Sequence, residues 1–226
     1  MKLIAIASQK GGSGKTTLAA HLAVEAENVG AGPVMLIDAD PQRTLAQWWE
    51  DRSAAGTFVP GLLKRTGKAR GNSKFNLLAD MESMREFGAN FVIVDTPPGL
   101  TTEIQEAVRY ADLVIIPVRP SPHDLRASAA TVALARTFSK DAMFVLSGAT
   151  VRTRICADAI LALAQHGPVA PVIVHQRVVF AAAMIDGGTA MEVQANSKAS
   201  QEIASLWRFL SDRMEGKVEL ALRRVS

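Results

Sequence analysis

The stretch Gln9-Lys10-Gly11-Gly12-Ser13-Gly14-Lys15-Thr16-Thr17 brings glycines, two lysines and three hydroxyl side chains into one short loop. Backbone without a Cβ can turn its N–H groups inward around an anion, lysines add positive charge, and a hydroxyl can ligate a divalent cation. That is phosphate chemistry. An apolar run at 3–7 precedes the loop and a stretch of helical composition, 16–29, follows it, so the positive end of a helix dipole would face the same anion. Gly11, Gly12, Ser13, Gly14, Lys15, Thr16 and Thr17 form the expected cradle for a nucleoside triphosphate, with Lys15 reaching the β and γ phosphates and Thr16 ligating Mg²⁺. The common pattern G-x-x-x-x-G-K-[ST] requires glycine at position 9, where this chain has Gln9, and a second lysine, Lys10, opens the loop instead.

The elements that must hold such a loop follow a simple alternation. Apolar, β-branched runs recur at 3–7, 34–37, 91–94, 113–118, 143–146 and 169–174. Helical compositions lie at 16–29, 44–52, 104–110, 124–138, 155–166 and 198–215. Strands buried on both faces read as continuous apolar runs, and their alternation with helices predicts a doubly wound α/β domain. The sheet would be mostly parallel, with helices on both faces, and residues 1–226 would form a single P-loop domain. In such a sheet ligands sit beyond the carboxyl ends of the strands. Apolar residues at 48% and charged residues at 21% exclude a disordered or collagen-like chain. The lone Cys156 offers neither an internal disulfide nor zinc-site spacing, and no apolar run approaches the ~20 residues a spanning helix needs. Residues 53–79 read as an irregular connection; with Lys64, Arg65, Lys68, Arg70 and Lys74 and no acid, it holds the basic excess of a chain whose net charge is +3.

The loop string Lys10-Gly11-Gly12-Ser13-Gly14-Lys15-Thr16 resembles the deviant Walker A motif, K-G-G-x-G-K-[ST], of the ParA/MinD group of ATPases. By that resemblance Lys10 is the signature lysine that crosses a dimer interface to the phosphates held by the other subunit. Leu36-Ile37-Asp38-Ala39-Asp40-Pro41-Gln42 is similar to the family segment that reaches the metal and the attacking water, which implies Asp40 orienting water and Asp38 supporting the metal shell. Carboxylates beside a triphosphate repel it unless a cation intervenes, so their placement itself implies metal. The other reading of these acids is a turn capping the helix from Thr44. Phe91-Val92-Ile93-Val94-Asp95 resembles Walker B, with Asp95 holding Mg²⁺ through water, and 96–102 is similar to the second switch of the family. Residues 115–125 resemble a strand and loop at the subunit face, and Gln176 to Ala183 through Gly187 and Glu192 a segment near the adenine base.

The resemblance implies a Mg²⁺-dependent ATPase, catalytic through Lys10, Lys15 and Asp40, that forms an ATP-dependent homodimer and binds DNA without sequence preference. A ParB-like or other cargo-bound protein would stimulate hydrolysis, so that plasmid, chromosome or other cargo is segregated or positioned. With no helix-turn-helix before the first strand, the chain is similar to the small ParA-like members, expected in the cytoplasm on the nucleoid. Candidate DNA contacts are Arg152, Arg154, Arg177, Lys198, Arg208 and Arg213. A MinD-like membrane role would need the tail 216–226 as an amphipathic anchor, which it is poorly built to be. A ligase-type enzyme on the same fold is the other alternative; electron transfer through an iron–sulfur cluster lacks its cysteines. Trp48 and Trp49 read as packing, and His21, His123, His166 and His175 as structural or exposed.

Overall fold

The computed structural model describes residues 1–63, 75–151 and 153–217. Along these the chain runs β1 (Lys2–Ile6), α1 (Lys15–Asn28), β2 (Val34–Asp38), α2 (Thr44–Ala54), β3 (Gly61–Leu62), α3 (Leu77–Glu86), β4 (Phe91–Asp95) and α4 (Thr102–Tyr110). It continues through β5 (Leu113–Val118), α5 (Pro122–Thr137), β6 (Ala142–Ala149), α6 (Arg154–Ala164), β7 (Val174–His175), α7 (Val178–Met184), α8 (Ala190–Val193) and α9 (Lys198–Met214). The strands form one seven-stranded sheet in the order β3-β2-β4-β1-β5-β6-β7, and every pairing is parallel.

Period-two alternation along the strands divides the core in two. Ile4, Ile6, Leu36, Ile93, Ile115 and Val145 face Leu18 and Leu22 of α1, Trp48 of α2, and Ile203, Leu206 and Trp207 of α9. Leu3, Ala5, Ile37, Val92, Val94, Val114 and Ile116 face Met81 of α3, Ile104 and Val108 of α4, Val132 of α5 and Leu163 of α6. The central strands are therefore buried on both sides, which is why they read as unbroken apolar runs rather than alternating ones. All β-to-α turns consequently emerge at one rim, where β1, β2 and β4 end on the phosphate loop, Asp38 and Asp95.

Three elements depart from expectation. β3 has only two residues, too short to leave a periodic signal, and α3 begins in the last three residues of the segment read as irregular and runs on to Glu86, where no helix was expected. Asn76 caps α3 by accepting the Ala79 N–H at 3.2 Å, and Leu77, Met81 and Met84 bury its inner face. The expected strand 169–174 contracts to β7 plus one bridge between Val169 and Phe144, because Pro168 and Pro171 remove ladder donors. The short apolar run after it is helix α7. The basic cluster from Lys64 to Lys74, Arg152 and the tail 218–226 lie outside the described residues. No helix among the described residues is long and apolar enough to cross a membrane.

His21 ties α1 to the segment around α8. Its Nε2 accepts the Ala190 N–H at 3.1 Å, so Nδ1 carries the proton and donates to Thr17 O at 2.8 Å, while Phe180 packs edge-on against the ring. Burial pushes its pKa down to about 4, against a smaller opposing pull from the Thr17 carbonyl. Because the folded value is depressed below the ordinary 6.5, its contribution is present above pH 6.5 and is lost as pH falls toward 4, roughly 3 kcal/mol in all. Urea midpoints should therefore drop between pH 7 and 4.5 more steeply for wild type than for His21→Gln. Parallel pH profiles would contradict this.

Candidate functional site

Left-handed backbone at Gly12 (φ 71°) and Gly14 (φ 94°) folds the loop between β1 and α1, and Gly14 starts the helix without any side chain capping its first N–H groups. Those donors are left for an anion. Ser147, at the end of β6, donates its hydroxyl to Ser13 O at 2.7 Å and is buried. In a trans peptide the carbonyl and the next N–H point oppositely, so this bond also fixes the direction of the Gly14 N–H. Gly11, Gly12, Gly14, Lys15 and Thr16 line a cavity of about 430 Å³ with Asp40, Pro98 and Arg119. A second cavity of about 600 Å³, walled by Leu18, Val174, Val178 and Phe180, shares Gly14, Thr17 and Arg119 with the first. One polar and one apolar chamber meeting at the helix start suit the phosphates and the base of a nucleotide.

The acids converge because β2 and β4 are neighbours in register, with Asp38 beside Asp95. Thr16 donates its hydroxyl to Asp95 Oδ2 at 2.6 Å, while the buried Oδ1 has no hydrogen-bond partner. Burial raises the Asp95 pKa to about 7, opposed by the Thr16 bond and reinforced by the Asp38 charge. Burial also raises Asp38, whose oxygens accept the Asp40 N–H at 3.0 Å and the Ala46 N–H at 2.8 Å. The capping reading thus holds for Asp38, which serves the first turn of α2. Asp40 accepts the Gln42 N–H on Oδ1 at 2.9 Å, and its other oxygen accepts no hydrogen bond among the described residues. Lys15 is buried, which lowers its pKa, with Asp95 and Asp40 opposing. Its Nζ lies 3.4 Å from Lys10 O.

An orphaned buried carboxylate oxygen beside a threonine hydroxyl fits a hard divalent cation. Among the described residues no three His, Cys, Asp or Glu side chains converge as a closed metal cage. Mg²⁺ suits that openness, since it keeps waters and takes phosphate oxygens. Thr16 and Asp95 would hold it, with Asp38 alongside.

Lys10 does not line its own phosphate cavity. Its Nζ sits 3.6 Å from Asp124 Oδ2, with the side chain 43% exposed and Asp124 buried at the start of α5, where Ser121 holds the carboxylate. Of the basic candidates, Arg177 is paired with Glu202 at 2.5 Å and Arg213 with Asp141 at 2.5 Å, so both cations are compensated internally. Arg154, Lys198 and Arg208 are exposed, and Arg208 acts on Glu25 across the α1–α9 contact. Trp48 and Trp49 are buried and donate to Gly188 O and Pro60 O at 2.9 and 2.8 Å. The buried Arg52, beside them, forms an ion pair with the more exposed Glu192. Ser147 escaped sequence reasoning because it lies on β6, two strands from β1 and outside every motif, and Arg119 fell within the 115–125 segment without being given a role.

The signature of the CobQ/CobB/MinD/ParA nucleotide binding domain matches residues 4–190. The maintenance of carboxysome distribution protein A of Halothiobacillus neapolitanus is 29% identical over 208 residues, 88% of this chain and 91% of that protein. The protein of the same name from Gloeobacter kilaueensis is 37% identical over 133 residues, 58% of this chain; the match spans 55% of that relative. Among solved structures, the septum site-determining protein MinD of Pyrococcus horikoshii, complexed with Mg-ADP, has a TM-score of 0.75 at 18% identity, covering 97% of this chain and 99% of that one. Nucleotide and magnesium therefore occur within this fold. The chain belongs to the CobQ/CobB/MinD/ParA family of P-loop ATPases.

Proposed function

We propose that this chain hydrolyses ATP to ADP and phosphate in a dimer that ATP assembles, and that the assembled form holds non-specific DNA until a cargo-bound partner triggers hydrolysis. The observation that carries the reading is the placement of Lys10, which is exposed and turned out of its own phosphate cavity while Lys15 is buried beside it. A cation so placed can complete a neighbouring site rather than its own. The phosphate loop binds the triphosphate, Lys15 neutralises its terminal oxygens, and Thr16 with Asp95 and Asp38 positions the metal side. Mg²⁺, when bound, supplies further charge neutralisation. Asp40 accepts a hydrogen bond from water and aligns it for attack, since phosphoryl transfer needs positioning and electrostatics more than covalent help.

Loss of the terminal phosphate removes what the two chains share, so the assembly acts as a timer. Arg154, Lys198 and Arg208 are the exposed cations of the described surface proposed to meet DNA phosphates, together with Arg152. The names of the relatives support a large cellular assembly as cargo, and the chain would work in the cytoplasm on the nucleoid. A membrane anchor would have to lie in the tail, outside the described residues.

Light scattering with ATP and Mg²⁺ should show a dimer for wild type and a monomer for Lys10→Ala, and DNA retention at low salt should follow the dimer. A dimer that forms equally well with Lys10→Ala, or retention equal with ADP, would remove the cross-subunit role.

A further inference from the structure

The phosphate cavity and the apolar cavity share three residues, Gly14, Thr17 and Arg119. Only the last carries a charge. Arg119 follows β5 directly and is exposed, and its stem runs over Gly148, where a Cβ would lie 3.4 Å from the guanidinium Nε. Gly148 adopts φ +60°, a conformation that favours glycine, so the surface beneath the arginine stays flat.

The other cations around the two cavities each have a carboxylate nearby. Lys15 is buried next to Asp95 and Asp40. Arg177 and His175, in the wall of the apolar cavity, both bond to Glu202. Lys10 is paired with Asp124. Among the described residues, Arg119 is the guanidinium at the junction that has no carboxylate partner. The junction is where a nucleotide with its terminal phosphates at Lys15 and its base in the apolar chamber passes from one to the other. What lies there is the base-proximal phosphate and the ribose, and a guanidinium offers a planar fork of donors matched to phosphate oxygens.

We propose that Arg119 binds the base-proximal phosphate common to ADP and ATP, and so holds nucleotide irrespective of the terminal phosphate. This rests on the nucleotide reading of the site. It gives the chain a nucleotide contact outside the glycine-rich loop, supplied by the strand on the far side of β1 from the acids. Arg119 then acts on retention of both nucleotides, whereas Asp40 and Lys10 act on events at the terminal phosphate.

The test is titration of wild type, Arg119→Ala, Arg119→Lys and Lys15→Ala with Mg-ADP and with Mg-ATP. Arg119→Ala is expected to weaken both nucleotides by the same factor, about tenfold for loss of a charge-assisted contact. Arg119→Lys should recover part of that, as a point charge without the fork. The exposed position predicts a nucleotide-free melting temperature equal to wild type, which separates a contact from a folding defect. Unchanged ADP affinity in Arg119→Ala overturns the proposal. So does a loss confined to ATP, which would put the guanidinium at the terminal phosphate or across an interface. If wild type itself binds no ADP, the nucleotide reading fails first and takes this proposal with it; binding by wild type that Lys15→Ala abolishes and Arg119→Ala leaves intact defeats the Arg119 contact alone.

Discussion

Lys15→Ala is expected to weaken both ADP and ATP by on the order of 100-fold or more. Lys15 begins α1 and is 7% exposed, yet among the described residues it has no ion pair and only a 3.4 Å contact to the Lys10 carbonyl. Burial disfavours its charge and the nearby Asp95 and Asp40 restore part of it. A desolvated ammonium with so little compensation gains more from a phosphate than a solvated lysine would. Removing it also leaves Asp38, Asp40 and Asp95 facing the anion with no fixed cation between. Isothermal titration with each nucleotide gives the answer, and an affinity close to wild type would displace Lys15 from the site.

Asp40→Ala should leave ATP able to bind while turnover falls by about two to four orders of magnitude, the range for loss of a positioned proton acceptor or water-orienting group. The distinction from its neighbours is geometric. Asp38 spends both oxygens on backbone N–H groups and Asp95, bonded to Thr16, has its other oxygen buried, whereas Asp40 lines the phosphate cavity with one oxygen that accepts no hydrogen bond among the described residues. Single-turnover phosphate release with saturating ATP separates the chemical step from binding. If release is as fast as in wild type, another group orients the water. Loss of ATP binding itself would instead mark Asp40 as part of the cradle.

What was legible beforehand was what local chemistry constrains. A loop that must surround phosphate can be built from few residue types, so positions 10–17 declared themselves, and Asp38, Asp40 and Asp95 followed because each stands at the end of a buried run. The sheet was legible for the same reason, down to β5, expected at 113–118 and found at Leu113–Val118. What could not be read were bonds between distant positions. Ser147 under Ser13, Asp124 against Lys10 and Glu202 around Arg177 are specified by topology, and no spacing along the chain announces them. Two of the six basic candidates proved internally paired for this reason. β3 was missed because two residues make no pattern, and β7 was overestimated because an apolar run was trusted through Pro171 and directly after Pro168.

The ion pair between Arg52 and Glu192 joins residues 140 positions apart, and the Arg52 guanidinium also reaches the carbonyls of Val59 and Gly187. A Cβ at Gly187 would lie 2.1 Å from the Arg52 backbone nitrogen, so the two segments meet without room to spare. During synthesis on the ribosome, α2 leaves the exit tunnel long before Glu192 does. Through more than half of translation Arg52 lacks its counterion and Trp48 lacks the Gly188 carbonyl that receives its indole N–H. The nascent patch where the C-terminal end of α2 meets the 187–192 segment therefore matures late, and the emerging polypeptide needs shielding there until its last third has been made.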